Sequence, residues 1–192
     1  TVTGVQTCAL PIYFPVAIPL RTLVPALLAG NAVIFKPSEV TPRSGALVAS
    51  LFEGLLPLGA LTLVQGAGDV GASLVAGDVD LVVFTGSVRT GKRIAVACAE
   101  RLVACSLELG GKDAAIVLAD ANLERAAHGI VWGAFTNAGQ NCASIERVFV
   151  ESAVAAPFLA RVAELTVALR PGVDVGPLTT DVLTYEGSHV AF

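Results

Sequence analysis

The sequence predicts an α/β fold built on a mostly parallel sheet, and three observations predict it. Short apolar runs alternate along the chain with stretches of helical period, the order that lays helices over parallel strands. The runs are apolar throughout and not only at every second residue, so each strand expects cover on both faces, as in parallel sheets. Helix-starting and glycine-rich junctions separate them, as in "SEVTPR" and "FTGSVRTG".

In chain order the strands are "AVIFK" (32–36), "LTLVQ" (61–65), "LVVFT" (81–85), "CSLEL" (105–109) and "AAIVL" (114–118). After the first strand, Thr41 as N-cap and Pro42 at the first helical position start a helix with Leu47, Val48, Leu51, Phe52 and Leu55 on one face. Ser87 caps the helix that follows 81–85. A further helix begins at Leu123 and aligns Leu123, Ala126, Ala127, Ile130, Val131, Ala134 and Phe135, with Gly139 placed for a left-handed C-terminal residue. An apolar strand opens again after residue 144.

Both ends look foreign. "VQTCALPI" (5–12) back-translates in frame to a sequence resembling a sequencing-library adapter, so residues 1–12 are set aside as an artefact. The adapter would also supply the first codon letter of Tyr13, which makes asparagine the expected natural residue there. The tail 181–192 has no clear period and reads as a second junction or a frameshift. Residues 13–110 and 111–180 form the two expected domains, both partial.

With 54% hydrophobic residues and a mean hydropathy of +0.74, the chain is too apolar for a free-standing domain and reads as the interior of a larger protein. A membrane is excluded by the lack of a long uninterrupted apolar run: the best candidate, 14–35, contains Arg21, Asn31 and three prolines. Net charge is −4, with 12 basic residues in no cluster, which excludes nucleic acid. The cysteines at 8, 98, 105 and 142 make no CxxC pair and have two histidines for company, an arrangement that argues against a metal site and for free thiols in a reducing compartment.

Four stretches carry candidate chemistry. In "NAGQNCASIERVFV" (137–150) Cys142 stands among small polar residues and not among Val, Leu and Ile, the place of a reactive thiol, with a partly buried spectator as the alternative. In "LELGGKDA" Glu108 ends an apolar strand before two glycines that admit another backbone or a ligand. A carboxylate so placed needs a task or a partner: it serves as a general base for the thiol, or it pairs with Lys112. "FTGSVRTG" puts Gly86, Ser87 and Gly91 between strand and helix, where first-turn N–H groups suit a pyrophosphate; a plain turn is the other reading. "QGAGDVG" (Gly66, Gly68, Gly71) has the dinucleotide spacing but no acidic residue at the end of the next strand.

Together these residues resemble the aldehyde dehydrogenase superfamily. "LELGGKDA" is similar to its glutamate signature, "FTNAGQNCASIE" to its cysteine signature, 34 residues further on, and "AVIFKPSE" and "FTGS" to its nucleotide-binding segments. The resemblance runs from about residue 14 to 180 and implies an internal fragment: part of a Rossmann-type parallel-sheet cofactor domain joined near Gly110 to the first part of an α/β catalytic domain.

The resemblance implies that Cys142 attacks the aldehyde carbon, that a thiohemiacetal and then a thioester form on its sulfur, and that Glu108 activates the water that releases the acid. It implies an oxyanion-binding asparagine at position 13, where this chain has Tyr13. It assigns Lys36 and Glu39 to the adenosine ribose, and Gly86, Ser87 and Leu109 to further cofactor contacts, with Gly66–Gly71 beside the adenine. NAD is expected over NADP, because a carboxylate at Glu39 repels a 2′-phosphate. A small-molecule aldehyde as partner, a cytoplasmic homodimer or homotetramer for the full-length protein, no metal, and no turnover by the 192 residues alone complete the expectation. The alternatives are a CoA-acylating semialdehyde dehydrogenase and a non-catalytic nucleotide-binding fold.

Overall fold

The computed structural model describes residues 4–8 and 14–179. Tyr13 and the tail after Thr179 lie outside the described residues, so the expectations placed on them do too. The chain divides into two compact units, Thr1–Leu109 and Gly110–Phe192.

The first unit holds a five-stranded, all-parallel sheet in the order β3-β2-β1-β4-β5, formed by β1 (Gly4–Cys8), β2 (Ala32–Lys36), β3 (Leu61–Leu63), β4 (Leu81–Gly86) and β5 (Ala104–Leu109). Helices α1 (Ala17–Leu28) and α2 (Pro42–Ser50) cover one face, and Leu23 and Val48 meet Val33 and Phe35 there. Helices α3 (Gly68–Ala76) and α4 (Val88–Arg101) cover the other, where Val75, Ile94 and Cys98 pack on Val82 and Phe84. Alternate residues of β4 thus enter opposite cores, which is why its sequence is apolar at nearly every position. The strand order is that of a doubly wound nucleotide-binding fold, whose ligand crevice lies at the carboxyl ends of the strands where the order reverses, here between β1 and β4.

The centre of this sheet is a departure from the sequence expectation. Gly4–Cys8, set aside above as foreign, runs as β1 between β2 and β4, in register Val5 to Val33 and Val5 to Leu81. Ladder pairing uses backbone groups common to all residues except proline, so a short extended segment joins a sheet with little demand on its side chains.

The helix after Thr41 also differs. It ends at Ser50, and of the five residues placed on its inner face only Val48 is fully buried, while Leu47, Leu51 and Leu55 are exposed. Thr41 makes no capping hydrogen bond. Single turns and a left-handed Gly54 follow, breaking the face before its second half can pack.

The second unit opens with the parallel pair β6 (Asp113–Val117) and β7 (Ile145–Val150), joined by α5 (Leu123–Phe135) and followed by α6 (Ser152–Val167). Asn122 caps α5, its side chain accepting the Arg125 N–H at 3.0 Å. Val117, Ala127, Ile130 and Phe158 form its core. The opposite face of the pair leaves Ile116 and Phe149 exposed. Among the described residues no helix is long and apolar enough to cross a membrane.

Candidate active site

At the carboxyl end of β4 the chain turns directly into α4. Ser87 caps the helix as expected: its Oγ accepts the Thr90 N–H at 3.2 Å and donates to Thr90 Oγ1 at 3.0 Å. A side chain on Gly86 would meet the Phe84 ring at 2.5 Å, so this corner accepts only glycine without repacking. The remaining first-turn N–H groups point out from the carboxyl end of the sheet, where the helix dipole favours an anion. Leu109, at the end of β5, packs on the same helix at Gly91, where a Cβ would lie 2.5 Å from it.

Lys36 ends β2 and is 1% exposed. Its Nζ donates to the Pro37 carbonyl at 3.2 Å and lies 3.5 Å from Glu39 Oε2, and its methylenes run past Gly71 in the first turn of α3. The structure thus brings together Lys36, Glu39 and the first glycine motif. A buried ammonium carries three donors, and among the described residues these are two acceptors.

Glu108 departs from expectation in burial, and of its two readings the pairing with Lys112 is not the one found. It lies on the free edge strand, opposite Thr85 of β4, on the face that α1 only partly covers, and its side chain is 58% exposed. Arg21 of α1 pairs with it, Nη2 to Oε1 at 3.0 Å. Lys112, which the sequence offered as the alternative to a general-base role for Glu108, pairs instead with Glu146, while its carbonyl accepts Arg147 Nε at 3.0 Å. The two-residue glycine link after β5 carries Lys112 into the second unit, toward β7. Arg21 carried no signal as a partner, because it lies 87 residues away in sequence.

Cys142 is half-buried in the loop between α5 and β7. Its Sγ lies 3.7 Å from Asn141 Oδ1, which also accepts the Ala143 N–H at 3.1 Å. The approach to this loop is unusual. Helix α5 stops at Phe135, its C-cap is Thr136 and not Gly139, and three consecutive residues, Asn137, Ala138 and Gly139, hold φ of 55°, 59° and 72°. Glycine and asparagine tolerate left-handed geometry, but at Ala138 it costs roughly 1–2 kcal/mol, so this turn needs outside support. Gln140 and Ser144 provide it. Gln140 is 1% exposed, and its amide reaches Asn137, Pro177 and Thr179. Ser144 Oγ donates to the Gly133 and Ala134 carbonyls at the end of α5. Sequence reasoning missed both residues; their one signal was the polar setting of the cysteine.

A five-stranded parallel sheet in doubly wound order, with a capped helix at its switch point, defines a Rossmann-type α/β fold. The sequence model of the aldehyde dehydrogenase family matches residues 2–183, and the chain belongs to that family. It is 43% identical over 182 residues to a 4,4′-diapolycopene aldehyde oxidase of Methylomonas, covering 92% of this chain and 34% of that protein. It is 43% identical over 175 residues to betaine aldehyde dehydrogenase 2 of Rhizobium meliloti, covering 87% and 36%. Among solved structures, lactaldehyde dehydrogenase from Escherichia coli superposes with a TM-score of 0.88 at 38% identity, over 92% of this chain and 39% of that one. Betaine aldehyde dehydrogenase from Staphylococcus aureus, solved in complex with NAD+, gives 0.87 at 31% identity, over 93% and 37%. The chain therefore spans about a third of the length of the curated relatives it matches.

Proposed function

We propose that this chain carries the nucleophile, the water-activating carboxylate and part of the cofactor site of an aldehyde dehydrogenase that uses NAD. The observation that carries the reading is the Cys142 loop: a half-buried thiol reached through a left-handed turn that the buried Gln140 holds by hydrogen bonds. Such expenditure on a thiol that only filled space would be out of proportion.

Cys142, as thiolate, bonds to the aldehyde carbon, and the carbonyl oxygen takes the developing negative charge beside the backbone N–H of Cys142. The second oxyanion donor belongs at position 13; with asparagine restored there it supplies a factor of roughly hundreds in rate. Bound NAD supplies the hydride acceptor. With the hydride gone, Cys142 holds the acyl group as a thioester. Glu108, exposed and so in reach of water, takes a proton from a water molecule that attacks the acyl carbon, and the acid leaves with the thiol regenerated.

The residues fit the dinucleotide. Lys36 has a donor for a ribose hydroxyl, the Glu39 carboxylate disfavours a 2′-phosphate, and Gly86 and Ser87 offer backbone N–H groups to the pyrophosphate, with Leu109 beside them. The exposed apolar residues Leu58, Ile116 and Trp132 support reading the chain as part of a longer enzyme whose remaining segments cover them, and as inactive by itself.

The test is absorbance of NADH from the full-length protein, restored from its gene, with an aldehyde and NAD. Cys142→Ala abolishes the signal. Turnover that requires added CoA would instead make the enzyme CoA-acylating, and nucleotide binding without NADH would make it a non-catalytic binder.

A further inference from the structure

Gln140 is the most heavily bonded side chain around Cys142. Its Nε2 donates to the Asn137 carbonyl at 2.9 Å and the Pro177 carbonyl at 3.3 Å, and its Oε1 accepts the Thr179 N–H at 2.8 Å and the Thr179 hydroxyl at 3.0 Å. The orientation of the amide is fixed by chemistry, because a backbone N–H only donates and two carbonyls only accept. All four positions are filled inside a site 1% exposed to solvent. Its backbone is tied as well: Gln140 N donates to the Asn137 carbonyl at 3.1 Å, and Asn137 Nδ2 donates back to the Gln140 carbonyl at 3.2 Å.

These bonds join two distant pieces of chain. On one side is the left-handed turn at 137–139, whose Ala138 adopts that geometry only under constraint and which leads within three residues to the thiol. On the other is the 176–179 segment, presented by the turn after α6, where Arg170 grips both carboxylate oxygens of Asp174 at 2.7 and 3.1 Å and Gly172 N–H bonds the Val175 carbonyl. A residue present only to fill the space would be served by Met or Leu, whose buried surface needs no partners.

We propose that Gln140 is a positioning residue for Cys142, holding the turn that carries the thiol to the 176–179 segment, so that this segment governs the thiol's geometry through one amide. The role rests on reading Cys142 as the nucleophile. The test requires no aldehyde chemistry, so an inactive enzyme would overturn that reading and leave the clamp standing, while a failed clamp would leave the nucleophile standing.

The experiment uses the full-length protein restored from its gene. Iodoacetamide labelling of Cys142 is timed by peptide mass spectrometry, with the buried Cys98 as internal control and thermal unfolding run in parallel. Gln140→Met is expected to label at Cys142 at least fivefold faster, with Cys98 as protected as before. Phe158→Leu, a core change in the same unit that leaves the loop bonds untouched, is expected to label Cys142 at the wild-type rate. Thr179→Pro, at an exposed position, removes both donors to Oε1; it is expected to accelerate Cys142 alone and to add nothing in the Gln140→Met background, the mark of a shared interaction. It also carries the test if Gln140→Met does not fold. Wild-type labelling in Gln140→Met, equal acceleration in Phe158→Leu, or multiplying effects of Gln140→Met and Thr179→Pro would each overturn the proposal.

Discussion

Leu109 rests on Gly91: a Cβ built at position 91 comes 2.5 Å from Leu109 Cδ2 and 2.9 Å from Cδ1. The last residue of β5 therefore sets how closely α4 lies on the sheet, and with it where the first turn after Ser87 presents its N–H groups. Replacing Gly91 by Ala gains roughly 0.5–1 kcal/mol of helix propensity. It costs about 1–3 kcal/mol in displaced packing. The expected net loss is about 1 kcal/mol, read by denaturant unfolding. In a Leu109→Ala background the same change is expected to be neutral or stabilising, since the obstructing methyls are gone.

Phe158 of α6 is 1% exposed and fills the core formed with Val117, Ala127 and Ile130. Truncation to Ala leaves a cavity among side chains held by two helices and a strand, with an expected loss of roughly 3–5 kcal/mol. Urea unfolding followed by far-UV circular dichroism reads it.

The two helices of that unit are also bridged by charge. Arg161 donates to both oxygens of Glu124, at 2.7 and 2.6 Å, and His128 lies 3.0 Å from the same carboxylate. The Arg161 hydrogen bonds hold the Glu124 carboxyl down at about 2, from an ordinary 4.5. A depressed carboxyl stabilises the fold fully above its unfolded value, and that contribution is lost as pH falls from about 4.5 toward 2. Arg161→Met is expected to flatten this acid limb in a plot of unfolding midpoint against pH, while leaving its shape above pH 6 unchanged.

Much of this architecture is legible in the sequence. Strand 32–36 is found at its predicted bounds and β4 within one residue, because a strand covered on both faces must be apolar throughout; β5 also falls within one residue of its predicted bounds, although it lies at the sheet edge. The Leu123 helix starts where predicted, since the Asn122 cap and the 3.6-residue period agree. What the sequence hides is set by distant contacts. Helix α1 looks like a broken apolar run because Pro15, Pro19 and Pro25 obscure its period; Pro19 sits in the first turn, where no intrahelical N–H is needed, and Pro25 gives up one ladder bond inside the helix. Glu108 reads as buried because its neighbours are apolar; β5 is an edge strand, and Arg21 comes to it from another element. The Cys142 loop shows only as a polar interruption. Its left-handed residues include Ala138, which no propensity predicts, and the side chain that holds them finds its partners 37 and 39 residues away.

The central claim, an acyl group carried on Cys142 and released by Glu108, is tested most directly in the full-length Glu108→Gln variant mixed with an aldehyde and NAD. Blocking water activation while sparing sulfur attack predicts a single burst of NADH, one per active site, and a peptide containing Cys142 heavier by the acyl group of the aldehyde supplied. Steady turnover at the wild-type rate, or a burst whose acyl mass sits on any other residue, would contradict it.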